Sequence, residues 1–458
     1  MIWPLILVYL GIQLAIAFVV SRRVKTEEDY LVAGRSRPVW LLSISLFATW
    51  FGAETCLGSS AAVFDEGLSG SRADPLGYGL ALVLGGLLIA TRIWNRRFST
   101  LADFYAERFG KAPEKLAVII LCLSSMIWGA AQIRALGQVI AATSPLNVQL
   151  AMFAAFVFVM VYTLMGGLLA DMFNDLIQGT VLILGLTLTV VFIAMEIDIP
   201  ALLAAQSAER LSFFSPGESL WERMDRWMIP VMGSLVAQEM VARILAAKSG
   251  RAARRASLIA CGIYLAVGSI PVLLGLIGPH VLSLQGESEQ FLIHLAREKL
   301  PAFAFVAFAG ALLATLLSTI DSILLGVGGL IAHNVAIPAL NIQSKKAKLR
   351  MNRAVVLIAG TACYVMAVRS TSIYDLLENA SSFGTAGILV ITLFGLWLPW
   401  GGGIAALATL VTGVVFTPVA EYVLKLPAPF IATIAACTAV YLACALAAGR
   451  RTPAGRAA

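Results

Sequence analysis

An all-α polytopic membrane protein with thirteen transmembrane helices is what the sequence predicts, on three observations. Hydrophobic residues make up 59% of the 458 positions and charged residues 13%, against about 25% charged in soluble domains, and the mean hydropathy is +0.88. Apolar runs long enough to cross a bilayer as helices, about 20 residues each, recur along the whole chain and leave no stretch for a soluble domain. The short loops between them carry Lys and Arg in alternation, as the positive-inside rule requires of a chain that crosses back and forth.

The first run, about residues 3–20, has no basic residue before it and Arg22, Arg23 and Lys25 after it. That is the reverse of a secretory signal peptide, so it reads as a retained span with the N-terminus outside. Twelve further spans are expected at roughly 38–66, 75–94, 116–143, 147–166, 174–197, 226–247, 257–283, 301–335, 353–369, 374–398, 401–424 and 426–448. The inner loops then hold Arg35, Arg96, Arg97, Arg108, Lys111, Lys115, Lys248, Arg251, Arg254, Arg255, Lys345, Lys346, Lys348 and Arg350, and the tail holds Arg450, Arg451 and Arg456. Outer loops have only scattered basic residues such as Arg72, Arg210, Arg297 and Lys299. An odd number of spans puts the C-terminus in the cytoplasm, in a multi-pass protein of the plasma (inner) membrane. The net charge of +7 is thereby an orientation signal, so the expected partner is the lipid bilayer and no nucleic acid. Six scattered cysteines and three distant histidines (His280, His294, His333) show no paired or metal-ligand spacing.

Two spans contain helix breakers. FATWFGAETCLGSS, Phe47–Ser60, places Glu54 and two glycines at bilayer depth, where a carboxylate costs a few kcal/mol and marks a functional site by default. The seventh span carries Pro230 and Gly233. The two lie five spans apart, hence in opposite orientations, and broken helices at matching places in two halves point to an inverted-repeat transporter with a midplane site. The expected organisation is therefore an extra helix and first inner loop (1–37), a first five-span repeat (38–198), a second (199–398), and two further helices with a short basic tail (399–458). Pro and Gly are also simply common in membrane helices.

In span nine, Thr315, Ser318, Thr319 and Ser322 recur at i, i+3, i+4 and i+7 with Asp321 at the edge. Hydroxyls beside a carboxylate suit a hard cation such as Na⁺; alternatively they bond back to their own helix or join helices. Asp171, Asn174, Asp175 and Gln178 share a face at the start of span six, where acids also serve as helix starts. Arg243 and Lys248 are expected to snorkel at the inner boundary.

YLVAGRS at 30–36, ATW.G at 48–52, GG..A....D..Q at 166–178, AR.LAAKS at 242–249 and STIDS at 318–322 occur in an order that resembles the sodium:solute symporter family. The resemblance implies a five-plus-five, LeuT-like core with discontinuous first helices in each repeat. It implies a sodium site from Ala48 and Phe51 of span two and Thr315, Ser318 and Thr319 of span nine, Thr315 being a departure where a small residue is usual. A second sodium site would correspond to Asp175, Ser318, Asp321 and Ser322. Within the family, ATWFG at 48–52, PLGYGLALVLGGL at 75–87 and MIWGAAQIRALG at 126–137 are most similar to the high-affinity choline transporter branch. That likeness implies an aromatic cage of Trp50, Tyr78 and Trp128, with Ala237 where a further tryptophan is expected. A cation over indole faces gains about 2 kcal/mol when desolvated, and Glu54 would add a counter-charge. Gln132, at i+4 from Trp128, is the pocket candidate on that helix, and Glu239, two residues past Ala237, could replace Glu54 as a polar anchor; Glu54 pairing with Arg134 instead would leave the solute neutral or zwitterionic.

The expectation is thus a Na⁺-coupled symporter importing a small cationic or zwitterionic organic solute, working as a monomer, and not an enzyme, because no nucleophile–base pair appears. Two alternatives remain: proton coupling through Glu54, and a membrane solute sensor with a separate signalling partner. A sensor would be expected to carry a cytoplasmic domain, whereas the chain ends ten residues after its last span at GRRTPAGRAA.

Overall fold

The protein is seen here in a computed structural model that describes residues 2–282, 288–370 and 384–447. Nearly all of these are helical, and the one β pairing among them is an isolated bridge between Arg37 and Ala247. In chain order the helices are α1 (Ile2–Ser21), α2 (Glu27–Val32), α3 (Val39–Trp50), a π-helical stretch Glu54–Gly58 running into α4 (Ser59–Glu66), α5 (Tyr78–Leu84), α6 (Thr91–Asn95) and α7 (Leu101–Phe109). They continue as α8 (Lys111–Thr143), α9 (Val148–Glu196), α10 (Ile199–Ala204), α11 (Leu220–Ser234), α12 (Gln238–Ala246), α13 (Gly250–Val281), α14 (Phe291–Lys299), α15 (Ala302–Ile331) and α16 (Ile337–Ala339). The last are α17 (Lys345–Arg369), α18 (Thr385–Trp397), α19 (Gly403–Pro418) and α20 (Pro429–Ala447).

Eight helical stretches among the described residues are long and apolar enough to cross a membrane, or nine with α11 and α12 as one span bent by 45°. Shorter apolar helices at Val8–Ser21, Val39–Trp50 and Thr385–Trp397 accompany them. The expected runs 147–166 and 174–197 join in α9, which is broken at Gly167 (φ 55°, ψ −162°). Only glycine fits there: a Cβ would meet the Tyr30 ring at 2.5 Å and its carbonyl at 2.7 Å. Part of the expected span 374–398 and the basic tail with Arg450, Arg451 and Arg456 lie outside the described residues.

Burial separates core from periphery. The apolar window of the α15 stretch is 72% buried, whereas that of α20 is 28% buried; α15 packs chiefly against α9 and α8. Large apolar side chains such as Ile12, Met195, Ile358 and Ile404 point outward, a surface that a bilayer would cover.

Short helices are fixed by their caps. Thr26 Oγ1 accepts from the Asp29 N–H at 3.1 Å while the Asp29 carboxylate accepts from the Thr26 N–H at 3.0 Å, a capping box that Thr100 and Asp103 repeat at α7. These two caps meet at His333, just after α15, whose ring lies 3.0 Å from Glu27 Oε1 and 3.3 Å from Asp103 Oδ1. Burial pushes both carboxyls up, but the His333 ring outweighs it and holds Glu27 and Asp103 below the usual carboxylate range. A depressed folded pKa stabilises above the unfolded value of about 4 and ceases to do so as pH falls through the folded value. H333Q is therefore expected to have a lower thermal midpoint than the native protein at pH 7, with the gap closing once both carboxyls are protonated. Equal midpoints at pH 7 would show that this clamp contributes nothing.

Candidate functional site

α3 ends at Trp50, Phe51 leaves helical geometry (φ −82°, ψ 81°), and the helix resumes at Glu54. The N–H groups that would close the last turn are diverted: Gly52 donates to Trp50 O at 3.1 Å and Ala53 to Gln132 Oε1 at 2.9 Å. The carbonyls of Ala48 and Thr49 are thereby released from the i+4 pattern at the negative end of the helix dipole. α15 brings hydroxyls to this end. Thr315 Oγ1 donates to Phe51 O, and Thr319 Oγ1 reaches Thr49 O and Thr315 O, each at 3.1 Å. Both threonines are at most 1% exposed. Phe51, Thr315 and Thr319 therefore meet in one place, and Ala48 is buried at the same helix end. Ser318 is elsewhere: about 100° round the helix from Thr319, it donates to Asp175 on α9. An all-oxygen set of three carbonyls, of Ala48, Thr49 and Phe51, and two hydroxyls suits a hard cation.

On its other side the same break opens onto a cavity lined by Trp50, Glu54, Tyr78, Trp128, Ala237 and Glu239, together with Ser124, Ser125, Gly233, Ser234 and Thr385. Gln132 is fully buried behind it. Glu54 is held from α8: Trp128 Nε1 donates to Oε1 and Gln132 Nε2 to Oε2, both at 2.7 Å. Arg134 does not pair with Glu54; it donates to Ser370 O at 2.6 Å and Ala367 O at 3.4 Å. The second break lies at 235–237 between α11 and α12, just beyond the expected Pro230 and Gly233, and the short Ala237 side chain sits there. Glu239, in the first turn of α12, accepts from Ser125 Oγ at 3.0 Å on Oε1, while Oε2 is buried with no hydrogen-bond partner.

Arg243 is a correction to the sequence reading. It does not snorkel to the boundary; it is 1% exposed and one turn beyond Glu239. Its Nη2 lies 2.7 Å from Asp171 Oδ2, 3.0 Å from Asp175 Oδ2 and 2.7 Å from Ser322 Oγ, and its Nε donates to Ser45 Oγ at 2.7 Å. Asp175 also accepts from Ser45 and Ser318. The guanidinium thus engages Asp175 and Ser322 of the expected second sodium set; Asp321 Oδ1 remains buried and unpartnered. A second cluster was not anticipated at all: Asp74 accepts from Thr55 Oγ1 at 2.7 Å and Tyr264 OH at 2.8 Å. The signal for Arg243 was present in the like-charged i, i+4 pair Asp171 and Asp175, which needs an internal cation when buried.

The model of the sodium:solute symporter family matches residues 30–413. High-affinity choline transporter 1 of Drosophila melanogaster is 25% identical over 371 residues, which cover 78% of this chain and 59% of the relative. The high affinity choline transporter 1 of Homo sapiens is 25% identical over 370 residues, 76% of this chain and 63% of the relative. The chain thus spans about three fifths of the length of these two relatives. The sodium/proline symporter of Escherichia coli (strain K12) is 27% identical over 198 residues, 42% of this chain and 39% of the relative. Among solved structures, a substrate-bound, outward-open Na⁺-coupled sialic acid symporter superposes with a TM-score of 0.86 at 15% identity, covering 97% of this chain and 98% of that one. A nucleobase-cation-symport-1 family transporter in a closed conformation gives 0.63 at 14% identity, covering 93% and 95%. At such identities these two likenesses concern the fold.

Proposed function

The chain belongs to the sodium:solute symporter family, with similarity to its high-affinity choline transporters, and on that premise we propose that it couples inward Na⁺ movement to import of a small cationic organic solute by alternating access. The observation that carries this reading is the single break at Phe51–Gly52, which serves two ligands at once. Its Phe51 and Thr49 carbonyls accept from the α15 hydroxyls, while Trp50 and Glu54, on either side of the break, line the cavity. Na⁺ held between α3 and α15 by Ala48, Phe51, Thr315 and Thr319, with Thr49 O added, fixes the geometry of the break and hence of the solute site, which is thermodynamic coupling. The solute's positive charge sits among Trp50, Tyr78 and Trp128, balanced by Glu54, with Gln132 orienting that carboxylate. Among the described lining residues two carboxylates and no Lys, Arg or His appear, which favours a cation over a zwitterion.

The thirteen-span topology, the repeats at 38–198 and 199–398, the outside N-terminus, the cytoplasmic C-terminus and a monomeric working unit belong to the same proposal. The topology and orientation rest on the two breaks, the charge alternation and the break of α9 at Gly167. The test is uptake of labelled choline, as a probe cation, into proteoliposomes with an inward Na⁺ gradient. Accumulation with Na⁺ and not with K⁺ is expected. Uptake indifferent to Na⁺ but driven by a pH gradient would replace Na⁺ by proton coupling through Glu54, and solute binding without any flux would favour a sensor.

The cage makes its own prediction. W128A loses both an indole face, about 2 kcal/mol for a desolvated cation, and the donor to Glu54, so the half-saturating choline concentration should rise about 30-fold or more. W128F keeps a ring and should lose less. Concentration dependence of uptake checks both, and equal losses would remove the cage.

A further inference from the structure

We propose that the solute of this same site is a dication, an alkylated ammonium at the Trp50, Tyr78 and Trp128 end joined by a short spacer to an N–H-bearing ammonium at Glu239. The proposal rests on the cationic reading above and narrows it.

Each broken span resumes with a glutamate in its first turn, and both glutamates line the one cavity. They are not equivalent. Glu54 already accepts one hydrogen bond on each oxygen, from Trp128 Nε1 and Gln132 Nε2, so neither of its oxygens depends on a donor from the solute. That suits a quaternary or fully alkylated ammonium, which has no proton to donate. Glu239 has one oxygen on Ser125 and the other, Oε2, with no partner although the residue is 1% exposed. A buried carboxylate oxygen left without a donor costs about 1–3 kcal/mol or more, and a donor supplied by the solute removes that cost.

Among the described residues no side chain donates to Glu239 Oε2. Arg243, one turn away, spends its N–H groups on Asp171, Asp175, Ser322 and Ser45 and touches Glu239 only through the backbone carbonyl, at 3.2 Å. The surroundings of the two carboxylates differ in the same sense. The indole of Trp128 is bonded to Glu54 and the hydroxyl of Ser125 to Glu239, and Trp50, Tyr78, Ser124 and Ala237 line the same cavity. Spacing follows from α8: Ser125 and Trp128, which hold the two carboxylates, are three residues apart and stand about 4.5 Å apart along the helix axis. Two anions lining one buried cavity repel one another, and a short diammonium neutralises both.

The test compares (3-aminopropyl)trimethylammonium with homocholine, in which a hydroxyl replaces the ammonium on the same three-carbon spacer. Binding to the full-length detergent-purified protein in Na⁺ is read by thermal shift and by competition with labelled choline. The diammonium compound is expected to bind at least about tenfold more tightly, the scale of a charge-assisted hydrogen bond. In E239Q that ratio should fall to about one. Equal or weaker binding of the diammonium compound by the native protein overturns the dication, as does a preference that survives in E239Q. The native ratio needs no variant, so a poorly folding E239Q leaves the test decisive. If choline and homocholine bind and the diammonium compound does not bind better, this inference alone fails; if none of the three binds, the cationic reading fails with it.

Discussion

R243M is expected to lose most of the protein's stability, and R243M/D171N/D175N to recover it. Arg243 is the cation between Asp171 and Asp175, all three at most 1% exposed, and its remaining N–H groups serve Ser45, Ser322 and the Glu239 carbonyl. Methionine matches the stem but leaves two carboxylates facing one another without a counter-charge. Removing one partner of a buried pair costs about 3–5 kcal/mol, whereas removing all the charges together is often close to neutral. The effect should therefore be non-additive, which separates an uncompensated charge from a simple loss of packing. Size-exclusion profiles and thermal midpoints of the purified single and triple variants check it. A single variant as stable as the native protein would refute the assignment, as would a triple variant no better than the single one.

T315A/T319A is expected to raise the Na⁺ concentration for half-maximal uptake about 100-fold while the protein still folds. Each hydroxyl that contacts a charged partner is worth about 1.5–3 kcal/mol, so the two together amount to about 3 kcal/mol or more. Folding should survive because alanine is a better helix former than threonine and the Phe51 and Thr49 carbonyls lie at a helix end that is already open. S318A is the internal contrast: its hydroxyl is on Asp175, so the change should act on the Arg243 cluster with a much smaller effect on apparent Na⁺ affinity. Na⁺ titration of uptake, with Na⁺-induced thermal stabilisation as a second readout, decides it. Unchanged Na⁺ dependence in the double variant would remove the site.

Much of the site was legible before any coordinates. Glu54 and the glycine beside it are conspicuous because local hydropathy is the code for a span, and a carboxylate inside one breaks that code. Trp50, Tyr78, Trp128, Ala237 and Glu239 then line the cavity with Glu54, although no spacing rule connects them, because the motif resemblance carried relationships that the residues alone do not state. Where sequence reasoning went astray, it judged a residue from its own helix. Arg243 follows apolar residues near a span end, the pattern of a snorkelling side chain, and the aspartates that hold it belong to α9, 68 and 72 positions away. Within the span-nine set that the family resemblance implied, Thr315 and Thr319 bond to the α3 carbonyls and Ser318 to Asp175 of α9, because α15 touches α3 and α9 at once.

The sequence by itself determined that this chain is a bundle of apolar helices, that two of its spans are interrupted and that Glu54 lies at bilayer depth, since hydropathy, glycine and proline act within one turn. Only the tertiary structure decided which carboxylate is satisfied and which is left open. Glu54 and Glu239 look alike in the chain, yet one meets Trp128 and Gln132 and the other keeps an unpartnered oxygen. In a buried, low-dielectric interior the role of a charge is set by the donors that packing brings within about 3 Å, and that distance is not encoded in any one helix.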